Sequence, residues 1–201
     1  MNKPIVLIVE GIDHIGKTTL IRELMNEQYG LLKNFNPVYY RDLVQLNTIR
    51  TIMPDKDPSF LDEKHSGILC GIINTLYALR DRNISFVFDR LHLSGAAYAL
   101  ALRNNRKPLS FNRTFEQIML DKLSGYYDIY LVTAIVRNNK ASDTDEVVSA
   151  KDLLKVNEAF VECEKESILP NKTVLDISIN SNGISDILFE CHFNKIANLI
   201  K

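Results

Sequence analysis

Five apolar residues, Ile5-Val-Leu-Ile-Val9, run through Glu10 into Gly11-Ile12-Asp13-His14-Ile15-Gly16-Lys17-Thr18, and this junction constrains the chain more than any other stretch. A run that is apolar on both faces and rich in β-branched residues suits a central strand covered by helices on each side. The eight residues from Gly11 match GxxxxGK[ST] at every fixed position. Glycines there permit a tight loop whose N–H groups point inward at phosphate oxygens, and a helix N-terminus behind it adds a favourable dipole. Leu20, Ile21, Leu24 and Met25 recur at helical spacing between Thr18 and Gln28, and Gly30 follows where a helix would stop. The order strand, loop, helix is the context that gives the motif its meaning. Gly11, His14, Ile15, Gly16, Lys17, Thr18 and Thr19 are therefore expected to line the phosphates of ATP. Lys17 reaches the β- and γ-phosphates in this reading, and Thr18 holds Mg²⁺. The alternative is a chance Gly/Lys turn, against which the flanking strand and helix speak.

The alternation then repeats. Pro37-Val-Tyr-Tyr-Arg41 reads as a short strand, and residues 42–60, polar and interrupted by Pro54 and Pro58, as an irregular, mobile segment. From Leu61 to about Arg82 the spacing of Leu69, Ile72, Ile73, Leu76 and Leu79 predicts a long helix, followed by a buried strand, Ile84 to Phe88, ending in Asp89. Residues 94–103 and 113–124 read as helices, Ile129–Ile135 as a strand, Val147–Ser167 as an amphipathic helix, and Thr173–Ile177 as a strand before a last helix. Strands alternating with helices place the chain in the α/β class, with a parallel, doubly wound sheet carrying helices on both faces. With the glycine-rich loop after the first strand, this is a P-loop NTPase fold. No repeat, low-complexity tract or linker interrupts it, so residues 1–201 read as one domain with a loop insert near residues 138–146.

Composition narrows the class. The chain is 46% hydrophobic and 24% charged, the balance of a globular protein. A net charge of -1 provides no global basic field for nucleic acid or acidic membranes. Cys70, Cys163 and Cys191 are odd in number and lack CxxC spacing, so they read as buried thiols in a reducing cytoplasm. The apolar run near Met1 stops at Glu10 without a cleavage pattern, and no segment approaches the roughly 18 apolar residues of a bilayer span. A cytoplasmic protein with no membrane partner is expected.

Ligands of open α/β sheets sit at the carboxyl ends of the strands, which is where Asp89 falls. Its carboxylate can position a hydrated Mg²⁺ or orient an acceptor oxygen, while Arg90 supplies a planar cation for an acceptor phosphate. An ordinary strand-end ion pair is the alternative. The run from Glu10 to Thr19 resembles the phosphate loop of thymidylate kinases, and Asp89-Arg90 followed by Ser94 and Ala97-Tyr98 resembles that family's DR motif. The resemblance covers roughly the first half of the chain. It implies a nucleoside monophosphate kinase fold with a five-stranded parallel sheet and a mobile lid. It also implies ATP- and Mg²⁺-dependent phosphoryl transfer to a small-molecule nucleotide, dTMP or a related pyrimidine. Matched by position, Asp13 would contact the sugar 3′-hydroxyl, Arg90 the acceptor phosphate, and Arg41 both donor and acceptor phosphates. His14 stands where some thymidylate kinases carry arginine.

The sequence also departs from that family. Asp42-Leu-Val44 follows Arg41 where the family has Glu-Pro-Gly, and residues 61–82 lack the Phe and Asp-Arg that frame thymine. Phe60, His92 and Tyr98 are candidates for the acceptor pocket, with core packing as the alternative for each. A lid spans about residues 137–146, and Arg137 is the candidate for stabilising transferred charge, so the catalytic set is Lys17, Asp89, Arg90 and Arg137. A homodimer through the helix carrying Ile68, Ile72 and Ile73 is a further expectation, with a core role as its rival. Two other functions stay open. Small thymidylate-kinase-like proteins of bacteriophages look similar, and a kinase for a nucleoside or for a 5-hydroxymethyl pyrimidine in DNA would use Arg103, Arg106, Lys107 and Arg113 as phosphate contacts. A noncatalytic ATP-binding module would keep the phosphate loop and have no need of Asp89.

Overall fold

The computed structural model describes residues 3–26, 32, 34–39, 58–137, 149–180 and 185–200, with backbone only at 39, 58–66 and 150. In chain order the elements are β1 (Ile5–Gly11), α1 (Lys17–Met25), β2 (Phe35–Tyr39), α2 (Pro58–Ala78), a 3-10 turn (Arg80–Arg82), β3 (Ser85–Asp89) and α3 (Leu93–Arg103). They continue as α4 (Lys107–Leu123), β4 (Asp128–Val136), α5 (Ala150–Glu166), β5 (Asn171–Ile177) and α6 (Glu190–Leu199).

The five strands form one sheet of order β2-β3-β1-β4-β5, with every neighbouring pair parallel. Parallel strands need covered faces, and the interior of β1 meets that condition, since Val6, Leu7, Ile8 and Val9 are all fully buried. The edge strand β2 carries Pro37, a residue with no ladder donor that sheets confine to such positions. The chain leaves β1 toward β2 and β3 on one side and places β4 and β5 on the other. The carboxyl end of β1 is therefore the topological switch point, where open α/β sheets bind ligands.

Local signals account for the helix ends. Ser149 caps α5 by accepting from Asp152 N at 3.2 Å. Asn83 and Asn104, at φ 53° and 48°, close the 3-10 turn and α3 in the left-handed region that asparagine tolerates. Several bounds differ from the sequence reading. β2 begins two residues before Pro37, and α4 begins at Lys107 rather than 113, because Pro108 sits in the first turn where its missing N–H costs nothing. Cys163 is buried as expected, but Cys70 and Cys191 are exposed. Ile72 and Ile73 lie in the core and Ile68 packs against it, so these side chains face inward. Among the described residues, no helix is long and apolar enough to cross a membrane.

Candidate active site

Strand register sets the phosphate loop. Val9 lies beside Asp89 of β3 and Gly11 beside Ala134 of β4, so the loop emerges between two strand ends. Gly11 has φ 142°, and a Cβ there would run into the Ala134 carbonyl oxygen. At Gly16, φ 90°, a Cβ would stand 2.7 Å from Ile187 Cγ2 and 3.0 Å from Ser185 Oγ. Only glycine meets both demands, a positive φ and a close approach. As the N-cap of α1, Gly16 has no side chain to satisfy the first-turn amides, which leaves them for an anion. His14, exposed, also lies in the left-handed region at φ 57°.

Lys17 is only 5% exposed and folds back so that its Nζ donates to the Ile12 carbonyl. Burial, reinforced by the nearby Arg90 guanidinium, depresses its pKa to about 7, against the pull of Asp13, Asp89 and Glu10. Thr18 Oγ1 donates to Asp89 Oδ2 across 71 positions of sequence, so a hydroxyl and a carboxylate meet at the first turn of α1. That hard-oxygen pair suits Mg²⁺, which takes one or two protein oxygens and completes its shell with phosphates and water. Among the described residues there is no cluster of three or more His, Cys, Asp or Glu of the kind that builds an all-protein metal cage.

The corner after β3 turns back on the loop. Arg90 has φ 71°, a strained conformation for a long side chain, and its amide donates to Val9 O at 2.8 Å. Its guanidinium binds Asp13 Oδ1, and Tyr98 Oη donates to Asp13 Oδ2. Burial works to raise the Asp13 carboxyl, but Arg90 and then Tyr98, Lys17 and His14 outweigh it and hold it below the usual range. Burial likewise opposes the Arg90 charge, and Asp13, Tyr98 and Glu10 together fix it in place. Arg90 also lies 5.9 Å over the Tyr98 ring. The Asp13 carboxylate keeps 39% of its surface exposed, so this cluster opens toward solvent.

His92 does not join it. Its side chain is fully buried, with Nε2 2.7 Å from Glu116 Oε1 and its ring 5.2 Å from that of Phe115. Glu116 also accepts from Ser167 Oγ at 2.8 Å and Ile168 N at 2.7 Å. The expectation that His92 lines the acceptor pocket is corrected to a core role, because a side chain without exposed surface offers nothing to a ligand. Arg137, at the end of β4, is 71% exposed and pairs with Asp176 at 2.7 Å. The strand end beneath it is held by buried Asn157, which accepts from Val136 N at 2.7 Å and donates to Val136 O at 3.1 Å. Arg106 pairs with Glu162 at 2.6 Å, and Arg113 with Glu166, so α5 carboxylates offset both cations. Arg41, the Phe60 side chain and lid residues 138–146 lie outside the described residues.

One further residue was not singled out from sequence. Glu10 is fully buried and accepts three hydrogen bonds from the segment after Arg90. A charged residue closing an otherwise apolar strand was its only local signal.

No protein-family profile and no curated protein sequence matches the chain. Its shape does match solved structures. Thymidylate kinase from Ehrlichia chaffeensis superposes with a TM-score of 0.54 at 14% identity, over 100% of both chains. Thymidylate kinase from Candida albicans, noted for broad substrate specificity, gives 0.58 at 14% identity over 98% of this chain and 89% of its own. The chain has the thymidylate kinase fold. YorR from Bacillus subtilis, solved in complex with phosphorylated GDP, gives 0.50 at 16% identity over 97% of this chain and 92% of its own. Similarity at this level speaks for the thymidylate kinase fold and leaves activity to the side chains.

Proposed function

We propose that this chain transfers the γ-phosphoryl group of ATP to a deoxynucleoside monophosphate, dTMP or a related pyrimidine nucleotide, modified ones included. One observation carries the reading. Consecutive residues at the end of β3 bond two points of the phosphate-loop segment, Asp89 accepting from Thr18 and Arg90 pairing with Asp13. A site that only held ATP would need neither the half-buried guanidinium nor the Asp13–Tyr98 pair.

The chemistry follows from what each group can do. Phosphoryl transfer passes through a loose transition state, so the protein's task is to align the acceptor oxygen with the γ-phosphorus and neutralise charge. The loop amides and Lys17 hold the donor phosphates. Thr18 and Asp89 would hold Mg²⁺, which when bound would supply positive charge against the negative charge of the transferred group. Arg90 exchanges its bond to Asp13 for the acceptor phosphate, which frees the Asp13 carboxylate to accept from a sugar hydroxyl. Arg137, in an exposed pair worth little to stability, is available to turn toward the transferred group. The test is acceptor-dependent ADP formation, with free nucleotides, nucleosides and modified DNA compared side by side.

The buried lysine gives a pH signature. Its folded pKa of about 7 lies below the ordinary value of 10.5, so between these values the unfolded chain binds more protons and the unliganded protein gains stability as pH rises. Polyphosphate binding restores the ammonium form. At pH 8, calorimetry in buffers of different ionisation enthalpy should therefore show uptake of nearly one proton per bound ATP analogue. Lys17→Met should show none. Nucleotide affinity should also weaken above pH 7, by up to about tenfold per unit. Equal proton counts for the two proteins would contradict this.

A further inference from the structure

We propose that Glu10 is a positioning residue that fixes the Asp89–Arg90 corner against the phosphate loop, and that it thereby sets the affinity for the acceptor rather than for ATP. The proposal rests on the kinase reading above. Glu10 is the penultimate residue of β1 and has no exposed surface. One carboxylate oxygen accepts from Leu91 N and Leu93 N, both at 2.9 Å, and the other from Ser94 Oγ at 2.6 Å. Leu93 and Ser94 open α3 and Leu91 lies just before its N-cap, His92, which supplies no side-chain cap of its own. A carboxylate from a strand 81 to 84 positions away thus does the capping, in the orientation that the helix dipole favours.

The consequence falls on Arg90. Its backbone is held at φ 71°, a region that long side chains avoid, by its own bond to Val9 O and by the bonds to the amide of the next residue and of Leu93. Release of those amides lets the corner relax and carries the guanidinium away from Asp13. Lys17 and Thr18 depend less on Glu10, because they sit in the first turn of α1 behind its Gly16 N-cap, and only the Thr18–Asp89 bond ties them to the corner. A displacement of about 1 Å at a binding group can cost about 10²-fold in rate, so a selective effect on the acceptor is expected.

Two substitutions separate position from charge. Glu10→Gln keeps an oxygen for both amides and an amide N–H for Ser94, but no charge. Glu10→Asp keeps the charge but is one methylene too short to reach. Glu10→Asp should raise the acceptor KM by about tenfold or more, with the ATP KM within about threefold, and Glu10→Gln should leave the acceptor KM within about threefold. Amide exchange at Leu91 and Leu93 should be fast in Glu10→Asp and slow in Glu10→Gln. If Glu10→Gln proves the worse variant for acceptor, or if Glu10→Asp shifts both KM values together or neither, the proposal is overturned. Should Glu10→Asp not fold, Ser94→Ala, which removes one of the three bonds, must show the same selectivity at about threefold, and no change in acceptor KM there also overturns it. Failure of the kinase reading would show separately, as absence of acceptor-dependent ADP formation in the unsubstituted protein. The exchange measurement would still decide the role of Glu10.

Discussion

Lys17→Ala is expected to lower turnover by about 10³-fold without loss of the folded state, the scale seen when a preorganised charge-stabilising donor is removed. In the free protein the Lys17 ammonium has one described hydrogen bond, to the carbonyl of Ile12, and burial works against its charge. A group held this way costs the fold stability at neutral pH and below, because the unfolded chain keeps the proton more readily. The variant should therefore melt no lower than the unsubstituted protein at pH 6, while its ADP formation collapses. Thermal unfolding and a coupled ADP assay on the same preparation check both halves. Turnover within tenfold of the unsubstituted protein would show that this lysine is not at the transferred phosphate.

The second large effect is expected at Arg90. Arg90→Gly removes the guanidinium and also relieves the φ of 71°, which glycine adopts freely. The fold should thus lose little, since Asp13, 39% exposed, can be rehydrated when its partner goes. For the acceptor, the loss of a planar, charge-assisted pair of bonds should lower kcat/KM by about 10²- to 10³-fold, with the ATP KM within about threefold. Arg90→Lys should recover little of this, because a point charge does not reproduce the fork geometry. The Asp13 carboxyl, held low largely by Arg90, contributes stability that is present above its unfolded pKa and is lost as pH falls through the folded value. Arg90→Gly should therefore flatten the acid limb of the stability curve. Equal losses in ATP and acceptor KM would instead mark Arg90 as part of the donor site.

What was legible from the sequence were the features whose partners lie close by or whose pattern has a fixed geometry. The apolar run of β1, the glycines at 11 and 16 and the lysine and threonine that follow specify a loop whose conformation only glycine can supply, so local reading sufficed. The alternation of strands and helices gave the parallel sheet, and Asp89 at a strand end fell where register places it, beside Val9. Contacts made across the fold were not legible. His92 reads as polar and available until Glu116, 24 residues on, draws it into the core. Glu10 looks like the boundary of a strand until α3 folds back onto it. Arg137 and Asp176 meet only because β4 and β5 are neighbours, and Arg106 meets Glu162 only because α4 begins beside α5. In each case the deciding partner is tens of residues away, beyond the reach of periodicity or propensity.

The measurement that tests the central claim most directly is ADP release from ATP and Mg²⁺, followed across a panel of deoxynucleoside monophosphates, nucleosides and 5-hydroxymethyl-pyrimidine DNA, with Lys17→Ala as the control. The account predicts release that depends on a pyrimidine deoxynucleoside monophosphate, rises well above the rate without acceptor, and disappears in the variant. Release at the same rate with and without every monophosphate, or dependence on DNA alone, would contradict it.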